Sequence, residues 1–247
     1  MSKSETTTLP WPSGLDAGAQ SLKHLEGFRI LASDGLVGKV YDFFFNDQSW
    51  MVRYLVADTG HWLPGRKVLL PTPMLIGPNL TERSFAVSLT REQVKTSPDV
   101  DTDMPVSRLR ELELQAHYDW PFHWGCVDGW VGPVPPAPAI EPPIPKIAED
   151  SGKVHLRSIR EMTGYKVEAE DSLVGTIDDF VAEEKNWVLR RLVLLTSHEL
   201  SGRRVAVSPP DFIGEISWSH HSVKLLTTLA TIRNLPDYMP AAGCTRP

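Results

Sequence analysis

The sequence predicts an all-β fold that is built twice in tandem along a chain of 247 residues. One stretch recurs at a constant spacing of 137 positions, as Trp50 and Trp187 show. Apolar residues alternate with polar ones at the period of a strand, and turn dipeptides separate these runs. An internal repeat predicts that one structural unit is formed twice.

The duplicated stretches span residues 34–73 and 171–210. Chance would supply only a handful of identities over such a window, so an internal duplication is predicted. The residues that recur unchanged in and around it are, by their first-copy numbers, Gly27, Ala32, Asp34, Leu36, Val37, Gly38, Asp42, Phe43, Trp50, Arg53, Leu55, Val56, Thr59, His61, Leu63, Gly65, Arg66, Val68, Pro73 and Ile76.

The first element is a polar segment, residues 1–23, which contains prolines and no apolar period and is predicted to be a flexible arm. From Phe28 to Ala32 apolar residues alternate with polar ones, which predicts a strand. Asp34-Gly35 follows, and this dipeptide is the strongest short-range signal for a hairpin. The β-pattern therefore starts directly after the arm.

Further strands are predicted along the first copy, at residues 37–45, 50–57, 67–70 and 85–89. Thr90 and Gln93 then form the pattern of a capping box, which predicts a short helix ending at Ser97. Gly38 and Gly175 interrupt strand patterns, which indicates a bulge or a close backbone approach. A ligand that approaches the backbone there is the alternative.

Residues 106–130 connect the copies, with a candidate helix over 105–118 followed by an aromatic run. The aromatic residues of that run are Tyr118, Trp120, Phe122 and Trp124. So large an apolar set predicts docking of the connector onto the fold or onto a second copy of the chain. Residues 131–153 are rich in proline and are predicted to be a semi-rigid spacer, and residues 241–247 to be a tail.

The repeats resemble the PRC-barrel family. The resemblance lies in the DGLVGKVYDF segment, the hairpin that ends in Trp50, the RYLVADTG strand and the GRKVLLP edge, and it covers residues 24–105 and 154–240. The family includes the cytoplasmic domain of the photosynthetic reaction centre H subunit and the C-terminal domain of ribosome maturation factors. It implies two tandem small β-barrels that hold protein partners, with no common active site.

The net charge is −6, and each copy carries two more acidic than basic residues. Nucleic-acid binding depends on an excess of Lys and Arg, so direct binding to nucleic acid is not expected. Two cysteines at no motif spacing and no apolar run near 20 residues predict a cytoplasmic protein without a transmembrane segment. Each copy is small, which predicts that the two copies, or a copy and the connector, bury further surface against each other.

Candidate metal ligands are His117, His123 and Cys126, but their spacing matches no closed tetrahedral site. Asp99, Asp101 and Asp103 imitate a calcium loop that lacks its required glycine and glutamate. Nucleophile and phosphate-loop motifs are absent from the sequence. No cofactor, metal or catalytic residue is therefore predicted.

Asp42 and Asp179 recur at matching positions, as do Arg53 and Arg190. A catalytic Asp–Arg pair is one interpretation. Structural hydrogen bonding or a salt bridge is the favoured one, because duplicated residues in a duplicated fold are usually structural.

Acidic residues gather in the second copy without an intervening base, and the first copy has no such run. They are Glu168, Glu170, Asp171, Asp178, Asp179, Glu183 and Glu184. One hypothesis is that they meet a basic partner by electrostatic steering, and the alternative is a solvated face.

The function that the sequence favours is a non-enzymatic interaction or assembly module. By resemblance it would act at a photosynthetic reaction centre or another membrane complex, with some self-association. A ribosome- or RNA-processing-associated factor is the first alternative, and a metal-dependent enzyme is the second.

Overall fold

A computed structural model gives the structure of the chain and describes residues 18–60, 62–97 and 156–239. This part is mostly β-structure arranged in two seven-stranded sheets, which confirms the predicted all-β class. The connector 106–130, the spacer 131–153 and the tail 241–247 lie outside the described residues. None of the helices in the described ranges is long and apolar enough to span a bilayer.

Five strands of the first repeat follow the predicted runs, and β6 was not predicted. Those of the first repeat are β2 (Arg29–Ala32), β3 (Gly35–Asn46), β4 (Met51–Asp58), β5 (Lys67–Pro71), β6 (Leu75–Asn79) and β7 (Ser84–Val87). Those of the second are β9 (Lys166–Glu168), β10 (Leu173–Glu183), β11 (Leu189–Thr196), β12 (Arg204–Val207), β13 (Ile213–Ser217) and β14 (Ser222–Leu225). Two more strands precede these two sets of six, β1 (Ala19–Ser21) and β8 (Leu156–Ser158).

The helices are single turns or little more. The α-helices are Leu22–Leu25, Arg91–Thr96, Ile159–Met162, Pro209–Phe212 and Leu229–Asn234, and the 3₁₀ turns are Thr72–Met74 and His198–Leu200. The capping box predicted at Thr90 is confirmed, because its side chain accepts from the Gln93 amide while the Gln93 side chain accepts from the Thr90 amide.

The two sheets have the same topology. The strand order is β5-β4-β3-β2-β7-β6 in one and β12-β11-β10-β9-β14-β13 in the other. Each sheet contains a parallel pair of strands. This pair is β2 with β7 in the first repeat and β9 with β14 in the second. Among the described residues, the hydrogen-bonded path does not close into a ring.

The seventh strand of each sheet comes from the segment that precedes the other repeat. β1 pairs antiparallel with β10 of the second repeat, and β8 pairs antiparallel with β3 of the first. The registers match, since Ala19 faces Glu183 and Leu156 faces Asn46. The two repeats are therefore joined by a reciprocal exchange of strands.

The predicted flexible arm is wrong for its last residues. Residues 19–21 form a strand, and the helix Leu22–Leu25 follows it with both leucines fully buried. Ser21 begins that helix by accepting a hydrogen bond from the His24 amide. The apolar pair and the cap hold this segment on the second repeat, and residues 1–17 lie outside the described residues.

Gly38 and Gly175 lie where the backbone comes closest to a neighbouring strand. A Cβ at Gly38 would stand 2.2 Å from the Asp58 carbonyl oxygen, and one at Gly175 would stand 2.1 Å from the Leu195 oxygen. The φ angles are 156° and 157°, which L side chains rarely adopt. The predicted close backbone approach is confirmed at both positions.

One hydrophobic core runs through both repeats. The Phe43 and Trp187 rings stack at 6.1 Å, and the Phe45 and Phe180 rings lie 5.7 Å apart. Each contact joins one repeat to the other, and these residues belong to a single buried cluster. The expectation that the copies bury surface against each other is confirmed, as the marginal core of each small repeat requires.

Candidate interaction groove

A groove with a volume of about 700 Å³ lies between the two repeats. One wall is the tip of the β10–β11 hairpin, residues 183–187. The opposite wall comes from the first repeat and consists of Thr72, Pro73, Leu75 and Ile76. Because both repeats supply a wall, neither forms this site alone.

The hairpin tip is anchored by Trp187. Its backbone has a φ of 58° and its amide donates to the Glu183 carbonyl at 2.7 Å, which closes the turn. The side chain is only 6% exposed and packs on Phe43 and Phe85 of the first repeat. Its carbonyl accepts from the Val52 amide at 2.8 Å, so the tip is held rigidly against the first repeat.

Trp50 occupies the equivalent position in the first repeat. Its φ is 54°, it is 7% exposed, and its carbonyl accepts from the Leu189 amide at 2.7 Å. The two tryptophans thus make the same pair of hydrogen bonds in opposite directions across the molecule. This is the relation expected of two copies around an approximate two-fold axis.

The first carboxylate at the tip, Glu183, is neutralised within its own hairpin. Both Nε and Nη2 of Arg190 donate to its Oε2, at 2.8 and 2.5 Å. The hydrogen bond from Arg190 lowers the pKa of Glu183 below its usual range. Glu183 therefore stays ionised but carries a bound counter-charge.

The second carboxylate, Glu184, reaches across the groove to the first repeat. A Cβ added to Gly77 would lie 2.7 Å from its Oε1, so glycine leaves the space that the carboxylate uses. Its Oε2 accepts a long hydrogen bond of 3.4 Å from the Gln20 side-chain amide. The described contacts thus give this half-buried carboxylate a neutral and weak partner.

The rest of the groove combines positive charge with apolar surface. Arg53 and Lys185 contribute cations to the lining, and Ile76 is 68% exposed beside them. Opposite charges and an exposed branched side chain suit contact with a polypeptide that is partly apolar.

The acidic run of the second repeat does not form one surface. Glu183 and Glu184 line the groove, whereas Glu168 and Glu170 do not. Glu168 is half-buried in β9, and Glu170 is exposed just beyond that strand. Asp171 accepts from the Leu229 amide at 2.9 Å and so helps to begin a helix.

The two remaining acids of that run are held inside the fold. Asp178 lies between Lys23 and Arg204, with contacts of 2.7 and 2.5 Å. Burial raises its pKa, but the hydrogen bonds from these two cations outweigh burial and hold the pKa below its usual range. Asp179 is buried and hydrogen-bonded to Ser21. Neither of these two residues lines the groove.

Asp42 makes the structural hydrogen bonds that were favoured for it. Its Oδ2 accepts from the Ser158 hydroxyl at 2.5 Å, and its Oδ1 accepts from the Arg160 and Phe43 amides at 3.0 and 2.7 Å. Burial raises the pKa of Asp42 to about 6, although these hydrogen bonds oppose the rise.

Asp179 repeats this arrangement with Ser21 and Lys23 of the segment before the first repeat and with its own neighbour Phe180. It accepts from the Ser21 hydroxyl and from the amides of Lys23 and Phe180, at 3.1 and 2.7 Å for the amides. Burial raises its pKa as well. Both acids are therefore bound by a serine across the repeat boundary, and Arg190, the predicted partner of Asp179, is bound to Glu183 instead.

Sequence reasoning missed the serines, although a signal was present. Ser21 and Ser158 also differ by 137 positions, so the duplication begins before residue 24, the start predicted for the first repeat, whereas Ser158 lies within the bounds predicted for the second. Gln20 and Arg157 stand at the same spacing and differ in charge. Extending the internal alignment upstream would have found both pairs.

The other predicted site residues lie outside the described residues. These are Tyr118, Trp120, Phe122 and Trp124 of the connector, the metal candidates His117, His123 and Cys126, and Asp99, Asp101 and Asp103. Within residues 18–60, 62–97 and 156–239, no group of three or more His, Cys, Asp or Glu side chains is placed to hold a metal ion.

No family model matches the sequence, and no curated protein matches it.

Proposed function

We propose that the protein is a non-enzymatic interaction module, in which two PRC-barrel-like domains present the groove between them to a protein partner. The groove carries this proposal, because it exists only where the hairpin tip of one repeat meets the edge of the other. Duplication within one chain thus supplies a binding surface that a single repeat lacks.

The rigidity of the groove supports a binding role. The Trp187 ring packs into the shared core, and backbone hydrogen bonds join the tip to β4. A preformed surface avoids the entropic cost of ordering a loop on binding. The tip is therefore suited to hold a partner in a defined orientation.

The hydrogen bonds that the buried acids accept from the fold itself support a non-enzymatic role. Asp42 and Asp179 are the buried carboxylates with raised pKa values, which is a property shared by many catalytic acids. Each is occupied by a serine hydroxyl and two backbone amides of the fold itself. Their hydrogen-bonding capacity serves the repeat boundary and leaves little for a substrate.

The resemblance of residues 34–43 to the PRC-barrel family favours a membrane-associated complex, such as a photosynthetic reaction centre, as the partner. The protein would dock on that complex from the cytoplasm. A partner surface with some positive charge fits Glu184, which lies on the groove beside the Glu183–Arg190 ion pair.

The test is charge reversal at the groove, with Glu183→Lys and Glu184→Lys combined in the full chain. Affinity-tagged protein is used to capture partners from membrane and soluble fractions, at low and high salt. The matched control is Glu168→Lys with Glu170→Lys, which makes the same change of charge away from the groove. The proposal expects loss of a specific partner in the groove variant alone, and equal partner sets in both variants would contradict it.

A further inference from the structure

The two repeats differ in charge at one matched pair of positions beside their hairpin tips. In the first repeat, Arg157 Nε donates to Asp47 Oδ2 at 2.8 Å, and both side chains are largely buried, with exposures of 18% and 12%. Arg157 belongs to the exchanged strand β8, and Asp47 begins the turn after β3. A guanidinium therefore binds the carboxylate at this tip.

At the second tip, an acid again stands at the position that matches Asp47, but glutamine stands at the position that matches Arg157. Glu184 stands 137 positions after Asp47, and Gln20 stands 137 positions before Arg157. The registers of β1 and β8 are equivalent, so Gln20 faces its hairpin as Arg157 does. The amide of Gln20 reaches Glu184 at 3.4 Å, where the first repeat has a charged contact of 2.8 Å.

We propose that the groove receives an arginine side chain from a protein partner, whose guanidinium binds Glu184 in the way that Arg157 binds Asp47. This inference rests on the proposed function and names the chemistry of the partner. Arginine fits better than lysine, because its planar fork can donate two parallel hydrogen bonds to one carboxylate. The groove is open beside Glu184 and has the volume for such a side chain.

The other charges of the groove define what surrounds this arginine. Glu183 is already bound by Arg190, whereas Glu184, within the part of the chain that the structure describes, has the Gln20 amide as its side-chain partner and forms no ion pair. Arg53 and Lys185 also line the groove and would repel a polybasic segment. The exposed Ile76 offers an apolar contact. We therefore expect a partner segment with a single arginine beside apolar residues.

The experiment uses the full chain and short synthetic peptides with one central arginine between two leucines. Matched peptides carry lysine or glutamine in place of the arginine, and binding is measured by fluorescence anisotropy at low salt. The arginine peptide is expected to bind about tenfold more tightly than the glutamine peptide, as a charge-assisted contact provides. Equal affinities of the wild-type chain for these two peptides would overturn the proposal without any need for a variant.

Variants then locate the contact. Glu184→Gln is expected to remove the preference for arginine, and the exposed control Glu170→Gln to retain it. Gln20→Arg is expected to weaken arginine binding about tenfold, because it places a guanidinium of the chain itself beside Glu184. A preference that survives in both Glu184→Gln and Gln20→Arg would overturn the assignment to this carboxylate.

Failure of the arginine proposal can be distinguished from failure of the proposed function. Loss of a partner after reversal of Glu183 and Glu184, together with no preference for arginine in the peptides, would retain the interaction module and reject the arginine. Thermal unfolding of each variant, compared with the wild-type protein, verifies that binding is measured on folded protein.

Discussion

The Ser158 hydroxyl donates a hydrogen bond of 2.5 Å to the Asp42 carboxylate, from a segment that precedes the second repeat to a strand of the first. Ser21 makes the same bond to Asp179 in the opposite direction. Each serine also accepts from an amide of the helix that it begins, His24 or Glu161. The exchanged strands are thus attached to the buried acids at two equivalent points.

Stability should increase as the pH falls from 7 towards 4. Burial raises the pKa of Asp42 to about 6 in the folded protein, above its ordinary value of 3.8, so the folded state binds the proton more tightly in this range. Lowering the pH through 6 therefore favours the folded state, by at most about 3 kcal/mol for a shift of this size. Urea unfolding at several pH values measures the effect.

Asp42→Asn should reduce this pH dependence, because it removes a buried acid with a raised pKa and leaves Asp179, whose pKa is raised as well. An asparagine amide can still donate to the Ser158 oxygen. Asp178, whose pKa is lowered, gives a contribution of the opposite sign that is lost only as the pH falls towards its low folded pKa. An unchanged slope between pH 4 and 7 in Asp42→Asn would show that Asp42 is not responsible.

Ser158→Ala and Ser21→Ala should each destabilise the protein by about 1–3 kcal/mol at pH 7. Each change leaves a buried carboxylate oxygen and a helix N-terminus without a partner. Ser172→Ala is the control, because Ser172 is exposed, and a change within about 0.5 kcal/mol is expected there. The free energy of unfolding in denaturant is measured for all three variants. A loss of stability in Ser172→Ala as large as that in Ser158→Ala would contradict a stabilising role for the serine–aspartate contacts.

Gly175→Ala should be far more damaging than Gly164→Ala. A Cβ at Gly175 would stand 2.1 Å from the Leu195 carbonyl oxygen, so the β10–β11 pairing must shift. At Gly164 nothing lies within 4 Å, and only the φ of 93° opposes a side chain, at a cost of about 1–2 kcal/mol. The midpoints of thermal unfolding compare the two variants, and equal losses would count against the close approach.

Removal of residues 1–25 should loosen the second repeat more than the first. The strand β1 pairs with β10, and the Glu184 amide donates to the Gly18 carbonyl at 2.8 Å. Hydrogen exchange of the truncated protein should therefore accelerate first at residues 179–184. Faster exchange confined to β3, with β10 unchanged, would show that the strands are not exchanged in solution.

Local patterns in the sequence predicted much of the fold. The alternation of apolar residues located the strands, Thr90 and Gln93 located a helix start, and Gly38 and Gly175 marked close backbone contacts. These features depend on neighbours a few residues apart or on the spacing of the duplication, so a single sequence is enough to read them.

The candidate groove was predicted only in part. Glu183 and Glu184 were among the acidic residues assigned to a partner, but Asp178 and Asp179 of the same run are held inside the fold. A run of charge along a strand looks continuous in the sequence, whereas the fold places Lys23 beside Asp178 and Ser21 beside Asp179. Which acids meet solvent thus depended on the sheet.

The sequence by itself determined that one β-unit is built twice, where its strands and turns lie, and which residues recur. Only the tertiary structure decided that β1 and β8 exchange between the repeats, that Asp42 and Asp179 are bound by Ser158 and Ser21, and that a groove forms beside Glu184. The physical reason is that strand period and turn preference are local. The choice of a pairing partner more than a hundred residues away depends on burial and hydrogen bonding between distant segments. In the exchanged arrangement Leu22 and Leu25 are buried and both acids are hydrogen-bonded.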